Sequence, residues 1–312
     1  MDLEELKKLQ KELITKYKIC ETIEVLGIIV IVGIFVYYYK THNNADIINV
    51  ILQACMYLVI LLAILETIKY RRLRKDRDRF NKNYKYVVIY NALKKRFSNL
   101  TYKPGEGIKE ETLNKTNLFK TGDRYRSNDY ITGTYKNIFF EQSDVHIEER
   151  HERKDLDGNK IVEYITIFKG RLLIFDFNKH FKAKLQISSK NFQADKVLHK
   201  KEFSQVKMED EEYNKQFITL AENEHEAFYI LTPTFILKIK NIYRELKCDI
   251  MFCFYNNKLF VAINNNKDSF EYNVFKKIKD EKFINNLTKD IEILTKLAEE
   301  LNLDNNLFLS DK

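Results

Sequence analysis

Two long apolar runs, residues 23–39 and 47–68, interrupt an otherwise mixed pattern of hydrophobic and polar positions near the N-terminus. A helix rises about 1.5 Å per residue, so roughly 20 apolar residues cross about 30 Å of hydrocarbon. The second run meets that length, and the first meets it with little tilt, its tyrosines at 37–39 forming a collar suited to headgroup level. With only residues 40–46 between them, the pattern predicts an antiparallel transmembrane hairpin. A cleaved signal peptide fits poorly, because a charged segment precedes the first run and a second run follows at once. Leu3, Leu6, Leu9 or Gln10, Leu13, Tyr17 and Cys20 recur at spacings of three and four, which predicts an amphipathic helix over residues 1–22. Phe80, Tyr84, Val87, Val88 and Phe97 carry a helical pattern past the second run, predicting a basic helical stalk over residues 69–99.

Beyond the stalk, residues 100–312 alternate differently. Residues 130–141 and 143–149 suggest paired strands turning at Gln142 and Ser143, and residues 161–168 and 172–177 are apolar on both faces, as in a strand buried between layers. Between Arg150 and Ile161, Asp157 and Gly158 mark a hairpin turn; a calcium loop is excluded because Gly158 comes too early and Thr166 stands where a closing acid is needed. Residues 250–255 and 259–263 flank Asn256, Asn257 and Lys258, a second hairpin. Apolar segments 217–220 and 227–231 precede Thr232-Pro233, a helix start in which the threonine hydroxyl caps and proline lacks an amide that would be unbonded anyway. Phe283, Leu287, Ile291, Leu294, Ala298 and Leu301 predict a C-terminal amphipathic helix. Strands and helices are segregated, so the expected fold is an α+β cytoplasmic domain with a mainly antiparallel sheet, behind the two-helix transmembrane hairpin.

Charge alters how the basic balance of +8 is understood. Residues 69–96 hold twelve Lys and Arg against Asp76 and Asp78, while residues 1–22 are neutral. Lys69, Arg71, Arg72, Arg74, Lys75, Arg77 and Arg79 thus form a membrane-proximal basic cluster. Its position matches the positive-inside rule, with both termini in the cytoplasm and the protein in the cell inner membrane as a multi-pass protein. It also suits anionic lipid headgroups. Nucleic acid is excluded as a partner, because the folded domain carries no aromatic-interleaved basic patch. Within the runs, Glu24 and Glu66 lie near the basic end, and Gln53 alone supplies no polar stripe for a pore.

Several segments carry a resemblance. Residues 125–135 including Gly133, residues 168–177 including Gly170, and the run Glu224-His-Glu226-Ala-Phe-Tyr229-Ile-Leu-Thr232-Pro233, followed by Asp268-Ser-Phe270-Glu271, resemble an uncharacterised bacterial family of membrane proteins with a C-terminal cytoplasmic domain of unknown function. Gly133, Gly170, Phe217, Glu226, Tyr229, Thr232, Pro233 and Glu271 are its motif candidates. The resemblance covers most of residues 70–275, and its Glu-Ala-x-Tyr-x-Leu-Thr-Pro run is the most specific part. It implies a bacterial membrane protein without an assigned activity, and a membrane-protein partner of LemA type.

Catalytic signatures are absent from the sequence. His146 and His151 are five apart on an extended segment, whereas a helical zinc site needs a spacing of four and an adjacent glutamate. Cys20, Cys55, Cys248 and Cys253 form no C-x-x-C pair. No phosphate-binding glycine loop or nucleophile elbow occurs, so no catalytic residue, cofactor or metal is assigned. Glu226 and Glu271 are a candidate acid/base pair, set against a capping or sheet-edge role. The sequence therefore points to a membrane-anchored binding, scaffold or regulatory protein that could form an oligomer. The competing class is a membrane-tethered, hydrolase-like enzyme acting on a lipid or envelope substrate.

Overall fold

The computed structural model describes residues 1–41, 47–118, 122–154, 157–176, 183–192 and 202–276, with a few positions beyond. The chain divides into two units: residues 1–89 with 272–280, and residues 90–271 with 281–312.

In the first unit the N-terminal amphipathic pattern and the first apolar run belong to one unbroken helix, α1 (Leu3–Thr41). The second run continues likewise into α2 (Ile47–Tyr84). The helices are antiparallel: Lys16 pairs with Asp76 and Glu24 with Lys69, one index rising as the other falls. Lys69 is bonded to both acids, 2.6 Å from Glu66 and 3.1 Å from Glu24, so both carboxylates are neutralised at the basic end of the run. One end of the pair has a core. Leu6, Leu13, Leu73, Phe80 and Tyr84 are buried there, and the returning segment supplies Tyr272, stacked on Tyr84 with ring centres 4.3 Å apart. Gln10 locks that segment in place by donating its amide to the carbonyls of Val274 and Lys276, at 2.7 and 2.6 Å.

The expected transmembrane hairpin is not upheld. No helix among the described residues is long and apolar enough to cross a membrane. Each helix joins its apolar residues and a long charged stretch in one continuous element. Both helices are otherwise charged, α1 over its first half and α2 from Lys69 onward. Residues 42–46 of the expected loop lie outside the described residues.

A π-helical turn (Lys85–Tyr90) and the short α3 (Asn91–Lys94) lead into the second unit. Its described strands form one sheet: β1 (Ser98–Lys103), β2 (Arg124–Tyr135), β3 (Ile138–Lys154), β4 (Lys160–Asp176), β5 (Leu185–Ser189), β6 (Ser204–Val206), β7 (Phe217–Ala221), β8 (Asp249–Tyr255) and β9 (Lys258–Asn264). The nine strands run in the order β1-β2-β3-β4-β9-β8-β5-β7-β6. Every pairing is antiparallel, as the segregated pattern predicted. Helices α4 (Glu110–Asn114), α5 (Glu211–Gln216), α6 (Glu224–Ile230) and α7 (Pro233–Leu246) complete the described elements of the unit.

Both faces of the middle of the sheet are covered. Ile108 and Leu113 join Val145, Leu172, Met251 and Phe260 in a core on one face. On the other, Phe235 of α7 meets Phe254 edge-on at 5.7 Å and Tyr243 meets Phe217 at 5.1 Å. Strands β8 and β9 are consequently buried along their whole apolar length, which is why they are continuous hydrophobic runs with no polar alternation. Their turn has the expected chemistry: Asn256 and Asn257 adopt φ of 49° and 55°. Thr232 caps α7 as expected, its hydroxyl accepting from the Phe235 amide at 3.3 Å. Residues 227–230 of segment 227–231 fall in α6, whose start is capped by Asn223, and Leu231 follows its end.

Two strand expectations need correction. The β2–β3 turn is at Lys136 and Asn137, where φ is 45° and 65°, and Gln142 and Ser143 lie inside β3. An Asn following a long polar residue made the turn without glycine, so the local signal was weak. Residues 161–168 are the first half of the continuous β4, and Val162 and Ile165 there are exposed. The cause is register: β9 pairs with β4 only from Arg171 onward, and β2 ends at Arg124 opposite Glu148. The outer half of the β3–β4 hairpin therefore projects as a two-stranded ribbon beyond its neighbours, turning at Gly158 with φ of 83°. The expected C-terminal helix over residues 283–302 lies mostly outside the described residues.

Candidate functional site

The densest cluster of buried charge lies on one face of β2, β3 and β4. The β2–β3 register slips between Asn128 and Ile131, leaving Asp129 in a bulge at φ of 56°. Such a bulge re-aims a side chain. This one is held from outside the strand pair, because the Asp129 amide donates to the Pro104 carbonyl at 3.1 Å and that of Tyr130 to Glu106 at 3.0 Å. Asp144 on β3 faces Arg171 on β4 across a paired register position. Their closest approach is 3.8 Å, and both are almost completely buried.

The segment after β9 closes the cluster. Asn264 accepts from the Lys169 amide at 3.1 Å and the Asn266 amide donates to the Lys169 carbonyl at 2.9 Å, turning the chain back over β4. It thereby brings in Asp268, Ser269 and Phe270. The Ser269 amide donates to Asp144 Oδ2 at 2.6 Å, and the Phe270 ring centre stands 5.3 Å from the Arg171 guanidinium carbon. Carboxylate oxygens of Asp129, Asp144 and Asp268 lie within 4.8 Å of one another. Asp129 is oriented by donors on two sides, the Tyr102 hydroxyl at 2.5 Å and the Asn128 amide at 2.9 Å.

Electrostatics follow from burial. Desolvation pushes the Asp144 carboxyl up to about 7, against the opposing pull of Arg171, with Asp268 adding to the rise. Burial, then the charge of Asp129, also drives the Tyr102 hydroxyl far above its ordinary value, so it is a fixed donor at neutral pH. Three oxygen donors around a small space form the donor set of a hard cation, and a buried Asp with a raised pKa is also the form that general acids take. These residues were not singled out from sequence. They come from a bulge, a strand and a returning loop, and Asp144 stands in the polar stretch Glu141-Gln-Ser-Asp144 of β3, where no local pattern sets it apart.

The residues singled out from sequence are distributed over the molecule. Lys69, Arg71, Arg72, Arg74, Lys75, Arg77 and Arg79 lie on α2, with Arg74 3.8 Å from Asp78 and Arg77 over the Tyr70 ring. Gly133 on β2 pairs with Phe140, and Gly170 on β4 is where a Cβ would come within 2.0 Å of the Ile263 carbonyl oxygen. Phe217 opens β7, Glu226 and Tyr229 lie on α6, and Thr232 and Pro233 start α7. Glu226 takes a capping role, accepting from the Ala183 amide at 2.9 Å just before β5. Glu271 follows Phe270 beside the β2–β4 cluster, so the structure places the two glutamates against different parts of the sheet. They are not brought together as an acid/base pair.

His146 bonds Thr166 at 3.1 Å and His151 bonds Glu149 at 3.1 Å, each a local contact on the β3–β4 hairpin. Burial pushes the Cys248 thiol up to about 11 and that of Cys253 higher still, so both are unreactive thiols. A shallow cavity of about 490 Å³ lies between the end of α7 and β8, lined by Tyr243, Arg244, Lys247 and Asp249.

Comparison with known proteins adds a match over part of the chain. No curated protein matches the chain. The crystal structure of the mycobacterial trehalose monomycolate transport factor A, TtfA, is similar over 65% of this chain and 88% of that one, at 8% identity. Its TM-score of 0.33 is too low to carry weight for fold or function. Residues 166–303 match the family DUF3137, described as a protein of unknown function, and the matched stretch contains seven of the motif candidates, Gly170 through Glu271, while Gly133 lies before it.

Proposed function

We propose that this protein is a membrane-associated binding or scaffold protein: its helix pair rests an apolar stretch in lipid, and its sheet unit engages a partner at the cytoplasmic face of the membrane. One observation carries the proposal. Ile29, Val30 and Ile34 of α1 and Val59, Ile60 and Ile64 of α2 are all about half exposed or more. Solvated monomers rarely leave contiguous apolar patches larger than a few hundred Å² uncovered. The exposed stretch adjoins the basic residues from Lys69 to Arg79, and cations near an anionic lipid surface contribute about 1 kcal/mol each. Lipid is thus the occupant that suits both the apolar faces and the charge beside them. The reading requires no helix to cross the bilayer. The resemblance to an uncharacterised bacterial family adds a LemA-type membrane protein as the proposed protein partner.

Vesicle flotation tests the lipid part. The full chain should rise with phosphatidylcholine vesicles, and more of it should rise when phosphatidylglycerol is included. A variant with Ile29, Val30, Val59 and Ile60 changed to Ser should remain at the bottom. A full chain that stays behind with both vesicle types overturns the membrane assignment. For the partner, purification in mild detergent should recover a membrane protein in fixed ratio, and repeated recovery of the chain alone would remove the scaffold role.

A further inference from the structure

We propose that Asp129, Asp144 and Asp268 form a binding site for one hard divalent cation, Ca²⁺ or Mg²⁺, where the β2 bulge, β3 and the segment after β9 converge. The donors are all carboxylate oxygens within 4.8 Å of one another, the ligand type that such ions take in preference to softer metals. Together with Arg171 the three acids carry a net charge of about −2 when ionised, which a divalent cation cancels.

A second observation, independent of the acids, points to the same place. Gln142 is fully buried, and neither its amide nitrogen nor its oxygen has a hydrogen-bond partner among the described residues. It precedes Asp144 by two positions on β3, so the pleat sets it on the same face, one repeat away. Its cross-strand neighbours there are Ile131 and Leu173, neither of which offers a side-chain polar group. Buried amides are normally bonded, and a cation held by the adjacent carboxylate would give this one a partner, either the ion itself or water of its shell.

The carboxylates divide the work. Asp144 Oδ2 is taken by the Ser269 amide, while Oδ1, 3.8 Å from Arg171 Nε, accepts no hydrogen bond among the described residues and is the oxygen left to an ion. Tyr102 and Asn128 orient Asp129, as second partners commonly fix the ligands of a metal. Asp268 is exposed and provides the approach from solvent. None of this bears on the membrane assignment, and the two can fail separately.

Terbium luminescence of the full chain in maltoside micelles is the test. The chain has no Trp, so sensitised emission must come from tyrosine, and the Tyr102 hydroxyl is bonded directly to a proposed ligand. One Tb³⁺ per chain should bind saturably and be displaced by Ca²⁺ or Mg²⁺. Asp144→Asn should abolish binding. Because that buried change could also unfold the unit, Asp268→Asn at the exposed position is the deciding variant. It should weaken Tb³⁺ binding at least tenfold while leaving the circular dichroism spectrum and the Tm in EDTA unchanged. Unaltered affinity in Asp268→Asn, or emission that neither cation displaces, overturns the site.

Discussion

Two apolar stretches of similar character meet opposite fates in this molecule. In β8, Ile250, Met251, Phe252, Cys253 and Phe254 are all 0% exposed, while Val30 of α1 is 60% exposed and Ile34 63%. Hydrophobicity alone does not separate them. A strand in the middle of the sheet presents both faces to covering layers, with α7 on one side and the Ile108–Leu113 region on the other. A helix in a pair can bury only the stripe that meets its neighbour, and the rest of its circumference must find another apolar phase. Within the helix pair the contrast repeats: the end that receives Tyr272 has a core of Leu6, Phe80 and Tyr84, whereas Val30 and Ile34 of α1 and Val59 of α2 are exposed.

If burial is what distinguishes the regions, substitutions should sort by it. The largest effect is expected from Gly170→Ala, because a Cβ would stand 2.0 Å from the Ile263 backbone and the β4–β9 pairing would have to part. Loss of the cooperative thermal transition of the full chain is the expected result, and a normal Tm would contradict the close packing described here. Phe252→Ala should cost about 3–5 kcal/mol in denaturant titrations, the usual range for emptying an aromatic site in a core. Val30→Ser, by contrast, should change stability by less than about 0.5 kcal/mol, as exposed positions do, yet lower the fraction of protein that floats with vesicles. Equal destabilisation by Phe252→Ala and Val30→Ser would erase the distinction between the two regions.

Smaller effects test the edges of the sheet unit. Thr232→Ala removes the hydroxyl that caps α7 and should cost about 1 kcal/mol. Lys240 joins α7 to α5 through Asp210 and Glu212, at 2.8 and 2.6 Å. Hydrogen bonding from Lys240 holds both carboxyls below their ordinary values. A carboxyl depressed in the folded state stabilises fully above its unfolded value, about 4, and loses that contribution as pH falls through the folded one. The Tm difference between wild type and Lys240→Met should therefore shrink on acidification from about pH 6 to pH 3. A gap that stays constant would show that the lysine acts through packing of its stem.

Legibility in the sequence followed the range of the interactions. The Asn256-Asn257 turn and the Thr232-Pro233 helix start were predictable because the chemistry that makes them lies within three or four residues. The Lys136-Asn137 turn is less legible because a lysine, not a second asparagine, takes the first positive φ. Residues 161–168 look like a buried strand in sequence because nothing in Val162 or Ile165 tells where β9 and β2 end. The acidic cluster was least visible of all. Asp129, Asp144 and Asp268 come together only through a register slip and a loop that returns after six further strands.

The sequence by itself determined the antiparallel α+β character, the helical pattern of the N-terminal runs and the concentration of positive charge after the second run, since each rests on local periodicity or simple counting. Tertiary structure alone decided which apolar residues are covered, that no described helix is long and apolar enough to cross a membrane, and which acids share a site. The physical reason is that burial and charge clustering depend on partners distant in the chain. Periodicity states which face a residue takes, and only packing states what that face meets.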